Sequence, residues 1–286
     1  MLAQLSNGAM TYIFHDLAHI ILAYLDNLTA RSKKHTQHLN DLWIIFQSCR
    51  QYNILLNPLK CVFYVTTGCL LGFIVSQRGI TVDPLKVKAI TEIPPPRNLR
   101  QLQSLQGKAN FLRRFVPDYA IRAHGFLHLL RHDIPFHWDD YAQQSFDDLK
   151  ATLSNAPLIS APDYNRDYIL YVSASAVLVA GVLVHLGDEN REHVIYYVSK
   201  NLSGPPLKYK HEEKLSLVVQ KLRHYILFRT TKVVADSNPM QYFLNRRQVN
   251  EKFARWIVIL QEYDLELSTP KCKKALILIK LVMAHP

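Results

Sequence analysis

Residues 168–198, YILYVSASAVLVAGVLVHLGDENREHVIYYV, contain three runs dominated by β-branched and aromatic side chains: Tyr168 to Val172, Leu178 to His185 and Val194 to Val198. They read as successive strands. A long helix follows from about Lys208 to Arg229, with Leu215, Val218, Leu222 and Ile226 at helical spacing. Lys232 to Ala235 gives a fourth strand, a short helix is predicted after Pro239, another from Lys252 to Glu262, and a last strand from Tyr263 to Ser268. Strands mixed with helices in this order predict a mixed sheet flanked by helices.

Upstream, the proline-punctuated stretch from Ala156 to Asp163 marks a boundary, preceded by a helix from Asp139 to Leu153. Asn98 is placed to cap a helix whose buried stripe is Leu99, Leu102, Leu105, Ala109, Leu112 and Phe115. The other faces of that helix are basic. Arg97, Arg100, Lys108, Arg113, Arg114 and Arg122 face a single acid, Asp118, and that bias suits either a solvated face or a phosphate-binding one. Pro94-Pro95-Pro96 reads as a stiff linker, and Asp83-Pro84 as the N-cap and first residue of a helix reaching Glu92. Cys61 to Val65, Leu70 to Ser76 and Ile80 to Val82 read as strands. His38 to Tyr52 is an amphipathic helix with Leu39, Leu42, Trp43, Phe46 and Cys49 inward, and Ile20 to Thr29 is a hairpin turning at Asp26-Asn27.

With 286 residues, 49% of them hydrophobic and 20% charged, the chain is long enough for about two domains with real cores, which excludes wholesale disorder. The most apolar tail segment, Ala275 to Ala284, is short and interrupted by Lys280, so no membrane span is expected. The N-terminus shows neither a basic start nor an apolar core of a secretory leader, which predicts an intracellular protein. Four cysteines without a CxxC pair predict reduced thiols and no structural metal. A net charge of +11, shared by both halves, suits a polyanionic partner such as nucleic acid.

Tyr24-Leu25-Asp26-Asn27 sets a carboxylate at a hairpin tip, a place from which an acid can hold a metal ion, although Asp-Asn is also a good turn dipeptide. After it come His38-Leu39, Tyr52-Asn53, Leu56-Asn57-Pro58-Leu59-Lys60-Cys61, Leu70 to Ser76, Gly79-Ile80, Asp83-Pro84, Lys88-Ala89-Ile90 and Gly107 to Phe115. In this order and spacing the chain closely resembles the polyprotein of gypsy-class long-terminal-repeat retrotransposons. The resemblance runs over nearly the whole chain. It implies an α+β / α/β architecture: the C-terminal part of a reverse transcriptase palm at 1–82, a helical thumb and connection at 83–160, and a ribonuclease H-like domain with an altered tail at 161–286.

The resemblance also assigns roles. Asp26 corresponds to a metal-binding palm carboxylate, while Asn27 departs from a second aspartate. The first palm aspartate and the fingers would lie upstream of Met1. Leu71-Gly72-Phe73 resembles the primer-gripping hairpin, so Gly72 and Phe73 are expected to touch nucleic acid, as are Arg100, Lys108, Arg113 and Arg114 on the thumb-like helix. In the ribonuclease H-like part, Glu213 and Asp236 match two catalytic carboxylates. Ser173 stands where the first aspartate is expected, and Lys280 where the last is, since the family's closing Ala-Asp-Phe-Leu falls on Ile279-Lys280-Leu281-Val282. Asp26, Glu213 and Asp236 are therefore the expected metal ligands, for magnesium.

The implied chemistry is RNA-directed DNA polymerisation, a nucleotidyl transfer, and endonucleolytic hydrolysis of RNA in RNA–DNA hybrids. Partners would be hybrid or duplex nucleic acid and the remainder of the polyprotein. With carboxylates lost, weak or absent magnesium binding and a weakly active or inactive enzyme are expected. A catalytically dead nucleic-acid-binding module and a decayed gene product without function are the competing readings. Two smaller patterns carry less. Glu213 between Lys210 and Lys214 also reads as a surface pair. His124, His128 and His132 form a helical ladder with no fourth ligand, and Ser173 and Ser175 lack the Gly-x-Ser-x-Gly elbow of a hydrolase.

Overall fold

The computed structural model describes residues 2–24, 27–32, 34–131, 133–227, 229–237, 254, 257–258 and 260–268. The chain divides into two compact units, 1–66 and 67–286.

In the first unit, helix α1 (Leu2–Ile13), which the sequence reading did not anticipate, precedes a hairpin of β1 (Ile21–Tyr24) and β2 (Asn27–Ala30), and helix α2 (His38–Gln51) follows. The strands pair antiparallel from Ile21 with Ala30 to Tyr24 with Asn27. Phe14, Ile20, Ile21, Ile45 and Cys49 make a small core. The buried stripe of α2 is Leu42, Ile45 and Cys49. Leu39 and Trp43, expected inward, are instead exposed. The expected strand Cys61 to Val65 is irregular backbone, with Tyr64 at positive φ. A β-rich run becomes a strand only where a partner ladder receives it.

The second unit opens with an antiparallel sheet of β3 (Thr67–Leu70), β4 (Phe73–Ser76) and β5 (Gly79–Val82). The run Leu70 to Ser76 is thus not one strand: it turns at Leu71-Gly72, both at positive φ. These strands, grouped by sequence with residues 1–82, belong to the second unit. Ile80 and Ile159 exchange both backbone hydrogen bonds, at 2.7 and 3.1 Å, and Ser160 N donates to Val194 O at 2.6 Å. The segment 156–163, read as a boundary, therefore ties two sheets together.

Helix α3 (Pro84–Thr91) starts at Asp83, whose carboxylate accepts from Leu85 N, and α4 (Leu99–Leu112) starts at Asn98, whose side chain accepts from Gln101 N. A 3-10 turn, Arg113–Phe115, ends α4; short helices α5 (Tyr119–Arg122) and α6 (His124–Leu127) lead to α7 (Asp140–Ser154). Leu102, Leu105, Leu112, Phe115, Phe126, Phe146 and Leu149 fill the core between them. Gly125 has no room for a Cβ, which would fall 2.2 Å from Ser145 Oγ and 2.7 Å from Tyr141 O. Gly79, at φ +137°, would put one 2.4 Å from Ile159 O. Gly125→Ala and Gly79→Ala are each expected to cost about 1–3 kcal/mol, because the obstructing atoms include backbone carbonyls. Urea midpoints of the two variants check this, and midpoints equal to the parent's would show that the contacts yield.

A five-stranded sheet follows, built from β6 (Tyr168–Ala174), β7 (Leu178–Leu186), β8 (Glu192–Asn201), β9 (Thr231–Val234) and β10 (Leu265–Ser268) in the spatial order β10-β9-β6-β7-β8. β6 runs antiparallel to β7 and parallel to β9, as expected for a mixed sheet. The predicted long helix is two pieces, α8 (His211–Lys221) and α9 (Arg223–Ile226), broken at Leu222. Leu215, Val218, Val219 and Leu222 pack on Leu170, Val172 and Leu183. Gly181 allows this approach, since a Cβ there would meet Val218 Cγ1 at 2.8 Å. The helix predicted after Pro239 lies outside the described residues, as does most of the one from Lys252. Among the described residues no helix is long and apolar enough to cross a membrane.

His185 faces His193 across β7 and β8, with ring centroids 5.7 Å apart. Burial, His193 and Arg166 hold its pKa below the ordinary histidine value, against an opposing pull from Asp163. A histidine kept neutral by the fold contributes stability that is full above its unfolded pKa and is lost as pH falls toward the folded one. Stability should therefore decline more steeply between about pH 7 and pH 5 in the parent than in His185→Phe, which has no proton to take up there. Parallel curves by urea unfolding would refute this.

Candidate nucleic-acid interface and ribonuclease H-like site

The tip of the β3–β4 hairpin is a two-residue turn with Leu71 at φ 52° and Gly72 at φ 79°. Two positive φ values match a turn whose twist suits paired strands, and glycine takes the second one without strain, whereas leucine does not. A Cβ on Gly72 would lie 3.1 Å from Lys86 Cε and 3.2 Å from the Phe111 ring. Its absence lets α4 lie close against the hairpin. Phe73 stacks on Phe111 at 4.5 Å with the rings 12° apart, and packs on Phe115 at 5.5 Å. Phe111 and Leu71 remain partly exposed beside these contacts.

The four cations assigned to nucleic acid divide into two kinds. Arg100 and Lys108 are exposed on α4. Arg113 and Arg114 are half-buried, and both are engaged inside the protein. Arg113 Nη2 reaches Ser199 O at 3.5 Å. The Arg114 guanidinium lies 4.3 Å from the centroid of Phe73 and 5.1 Å from that of Phe115, contacts worth about 0.5–2 kcal/mol each when shielded from water. Neighbouring bonds join the same segment to the sheet: Ala120 N donates to Ser199 Oγ, and Asn201 Nδ2 donates to Ala120 O, both at 3.0 Å.

In the five-stranded unit, Ser173 lies in β6 opposite Ala180 and is buried, 2% exposed. Glu213 is equally buried in the first turn of α8, where its Oε2 accepts from Lys210 N at 2.8 Å. The carboxylate thus caps a helix start, where the dipole and unpaired N–H groups favour an anion. Lys214 is also buried, and its ammonium donates to Ser175 O at 3.1 Å and Ala176 O at 2.7 Å, at the end of β6. Asp236, just past β9, is half exposed and bonded through Oδ1 to His211 Nε2 at 2.6 Å. Lys280 and Asp26 lie outside the described residues; Asn27 pairs with Tyr24 in the first hairpin.

Magnesium demands several oxygen ligands in near-octahedral array, and a two-metal site demands carboxylates bridging both ions. The described residues do not fit that demand. Ser173 offers a hydroxyl where the resemblance expects a carboxylate, a buried ammonium contacts the chain two residues further on, and Glu213 and Asp236 serve a helix cap and a histidine. Among the described residues no group of three or more His, Cys, Asp or Glu is placed to hold a metal ion. The histidine ladder offers none either: His124 and His128 stack at 6.0 Å, His124 Nδ1 lies 3.4 Å from the Tyr141 hydroxyl, and His132 is outside the described residues.

Phe111 and His211 were not singled out from sequence, and the surface pair read for Glu213 and Lys214 is corrected, since both are buried. Phe111 was detectable, because it stands three residues from both Lys108 and Arg114 and so shares their side of the helix. His211 gives no sequence signal.

Residues 163–263 match the family described as an RNase H-like domain found in reverse transcriptase. The chain is 30% identical over 267 residues to the retrovirus-related Pol polyprotein from transposon opus of Drosophila melanogaster, covering 88% of this chain and 26% of that one. The Pol polyprotein from transposon 297 of the same organism is also 30% identical, and the transposon Tf2-7 polyprotein of Schizosaccharomyces pombe is 25% identical over 87% of this chain. The chain spans about a quarter of the length of these relatives or less. Among solved structures, a foamy viral protease-reverse transcriptase in complex with double-stranded DNA superposes with a TM-score of 0.78 at 19% identity, over 94% of this chain and 49% of the other. The same viral protein in complex with an RNA/DNA hybrid gives 0.76 at 18% identity, over 94% of this chain and 38% of the other. The chain is a reverse transcriptase/ribonuclease H-like segment of the kind carried by transposon polyproteins.

Proposed function

We propose that this segment derives from a gypsy-class retrotransposon polyprotein and works inside the cell as a holder of RNA–DNA hybrid or duplex, with little or no catalysis of its own. Residues 1–82, 83–160 and 161–286 serve as palm remnant, thumb with connection, and ribonuclease H-like domain. The observation that carries this reading is the surface where Arg100 and Lys108 stand on the same helix as Phe111, against the Gly72-Phe73 hairpin. Exposed cations with an interleaved aromatic ring suit a phosphate backbone and a base or sugar face. The foamy viral neighbours, held with double-stranded DNA and with hybrid, support a duplex as ligand.

Glu213 and Asp236, with Asp26 in the palm, are the acids that would face magnesium, and Ser173 and Lys280 weaken that site. A labelled RNA–DNA hybrid tests the whole reading in one experiment. Retarded migration without cut product in magnesium is the expected result. Magnesium-dependent product would make the segment an active nuclease, and neither shift nor product would remove the nucleic-acid function.

A further inference from the structure

Arg114 occupies a joint between three elements of the second unit. Its guanidinium covers Phe73 of β4 and Phe115 beyond α4. The same charge acts on Tyr225 in α9, which packs against the core of the five-stranded sheet and against Tyr196, while the adjacent Arg113 reaches Ser199 O of β8 at 3.5 Å. Arg114 Nε is buried without a hydrogen-bond partner, so the side chain has given up solvation on that edge to lie against both rings. A phosphate-binding arginine would keep its fork in solvent. This one faces inward, and the hairpin bearing Gly72 depends on it through Phe73.

We propose that Arg114 is a positioning residue, a latch that fixes the β3–β4 hairpin against the ribonuclease H-like sheet so that a duplex held at the hairpin meets the sheet at one constant offset. The inference rests on the nucleic-acid reading for its consequence, and on the protein alone for its geometry. Two surfaces held rigidly engage one long ligand together, and the second contact is then intramolecular. Loosening the latch penalises only ligands long enough to reach both.

The test uses the full chain with spin labels on the exposed native Cys69 of β3 and on Lys221→Cys at the end of α8, Cys61 and Cys272 being replaced by serine. The parent should give one narrow inter-label distance, and Arg114→Met a broad distribution. Hybrid affinity is measured on the same proteins with a short and a long duplex. The long one should bind Arg114→Met about tenfold more weakly while the short one binds both alike. Arg114→Lys should rescue only in part, since an ammonium keeps the charge and loses the flat stack. Should Arg114→Met fail to fold, Arg114→Lys carries the same measurements. An unchanged distance distribution overturns the latch. Absence of any hybrid binding overturns the nucleic-acid reading, and the label distance still decides the latch.

Discussion

Ser173→Asp is expected to destabilise the chain by about 3–5 kcal/mol in magnesium-free buffer, the size of an uncompensated charge placed in a protein interior. Ser173 is 2% exposed, and its strand neighbours Val172 and Ala174 are buried as well. The cation at the strand end, the Lys214 ammonium, is already held by two backbone carbonyls and would have to abandon them to pair with a carboxylate. Excess magnesium should return part of the loss if Glu213 and Asp236 border the same space. An ion present at a hundred times its dissociation constant adds about 2.7 kcal/mol to the folded state. Urea unfolding with chelator and with magnesium measures both quantities. A variant as stable as its parent in chelator would mean that water or Lys214 accommodates the charge. Cleavage of hybrid RNA is expected only when Lys280→Asp is added, because a three-carboxylate site still lacks one anchor for the metal pair.

The second large effect concerns salt. Arg100→Gln with Lys108→Gln should reduce the slope of log affinity against log salt by up to about 1.8, close to 0.9 for each phosphate released. Arg113→Gln with Arg114→Gln should leave the slope nearly unchanged and lower the unfolding midpoint instead, since both side chains are spent on Ser199, Phe73 and Phe115. Fluorescence titrations of a labelled hybrid over a range of potassium chloride separate the pairs. Equal loss of slope from both pairs would return all four to the nucleic-acid surface.

The contrast between these pairs shows what a sequence conveys. Helical spacing placed α4 correctly and named Leu102, Leu105, Ala109 and Leu112 in its buried stripe, because a polar majority leaves a narrow apolar arc to choose from, whereas Leu99, also named, is exposed in the first turn. In α2 the same reasoning erred on Leu39 and Trp43. Apolar side chains there occupy more than half the circumference, with Ile44 and Ile45 competing, so spacing cannot select the inward side. The run Leu70 to Ser76 hid its turn because nothing polar interrupts it, and only Gly72 hinted at positive φ. The mixed sheet was legible from β6 to β10 since β6, β7 and β8 carry isolated apolar runs and β10, Leu-Glu-Leu-Ser, alternates. At the site, Glu213 and Asp236 were legible as acids, but not the helix cap, the His211 bond or the buried Lys214. Those arise from contacts between segments far apart in the chain, and lysine in general prefers solvent.

The joint at Ile159 and Ser160 bears on how such a segment is handled in a cell. Processing enzymes cut where backbone is exposed, extended and free to enter a cleft. Here the stretch that its prolines make look like a spacer is bonded on one side to Ile80 and on the next residue to Val194. A protease meets a β-bridge and a further backbone bond here instead of a tether. A protease that needs exposed, free backbone is therefore expected to leave the helical layer and the five-stranded sheet joined as one piece.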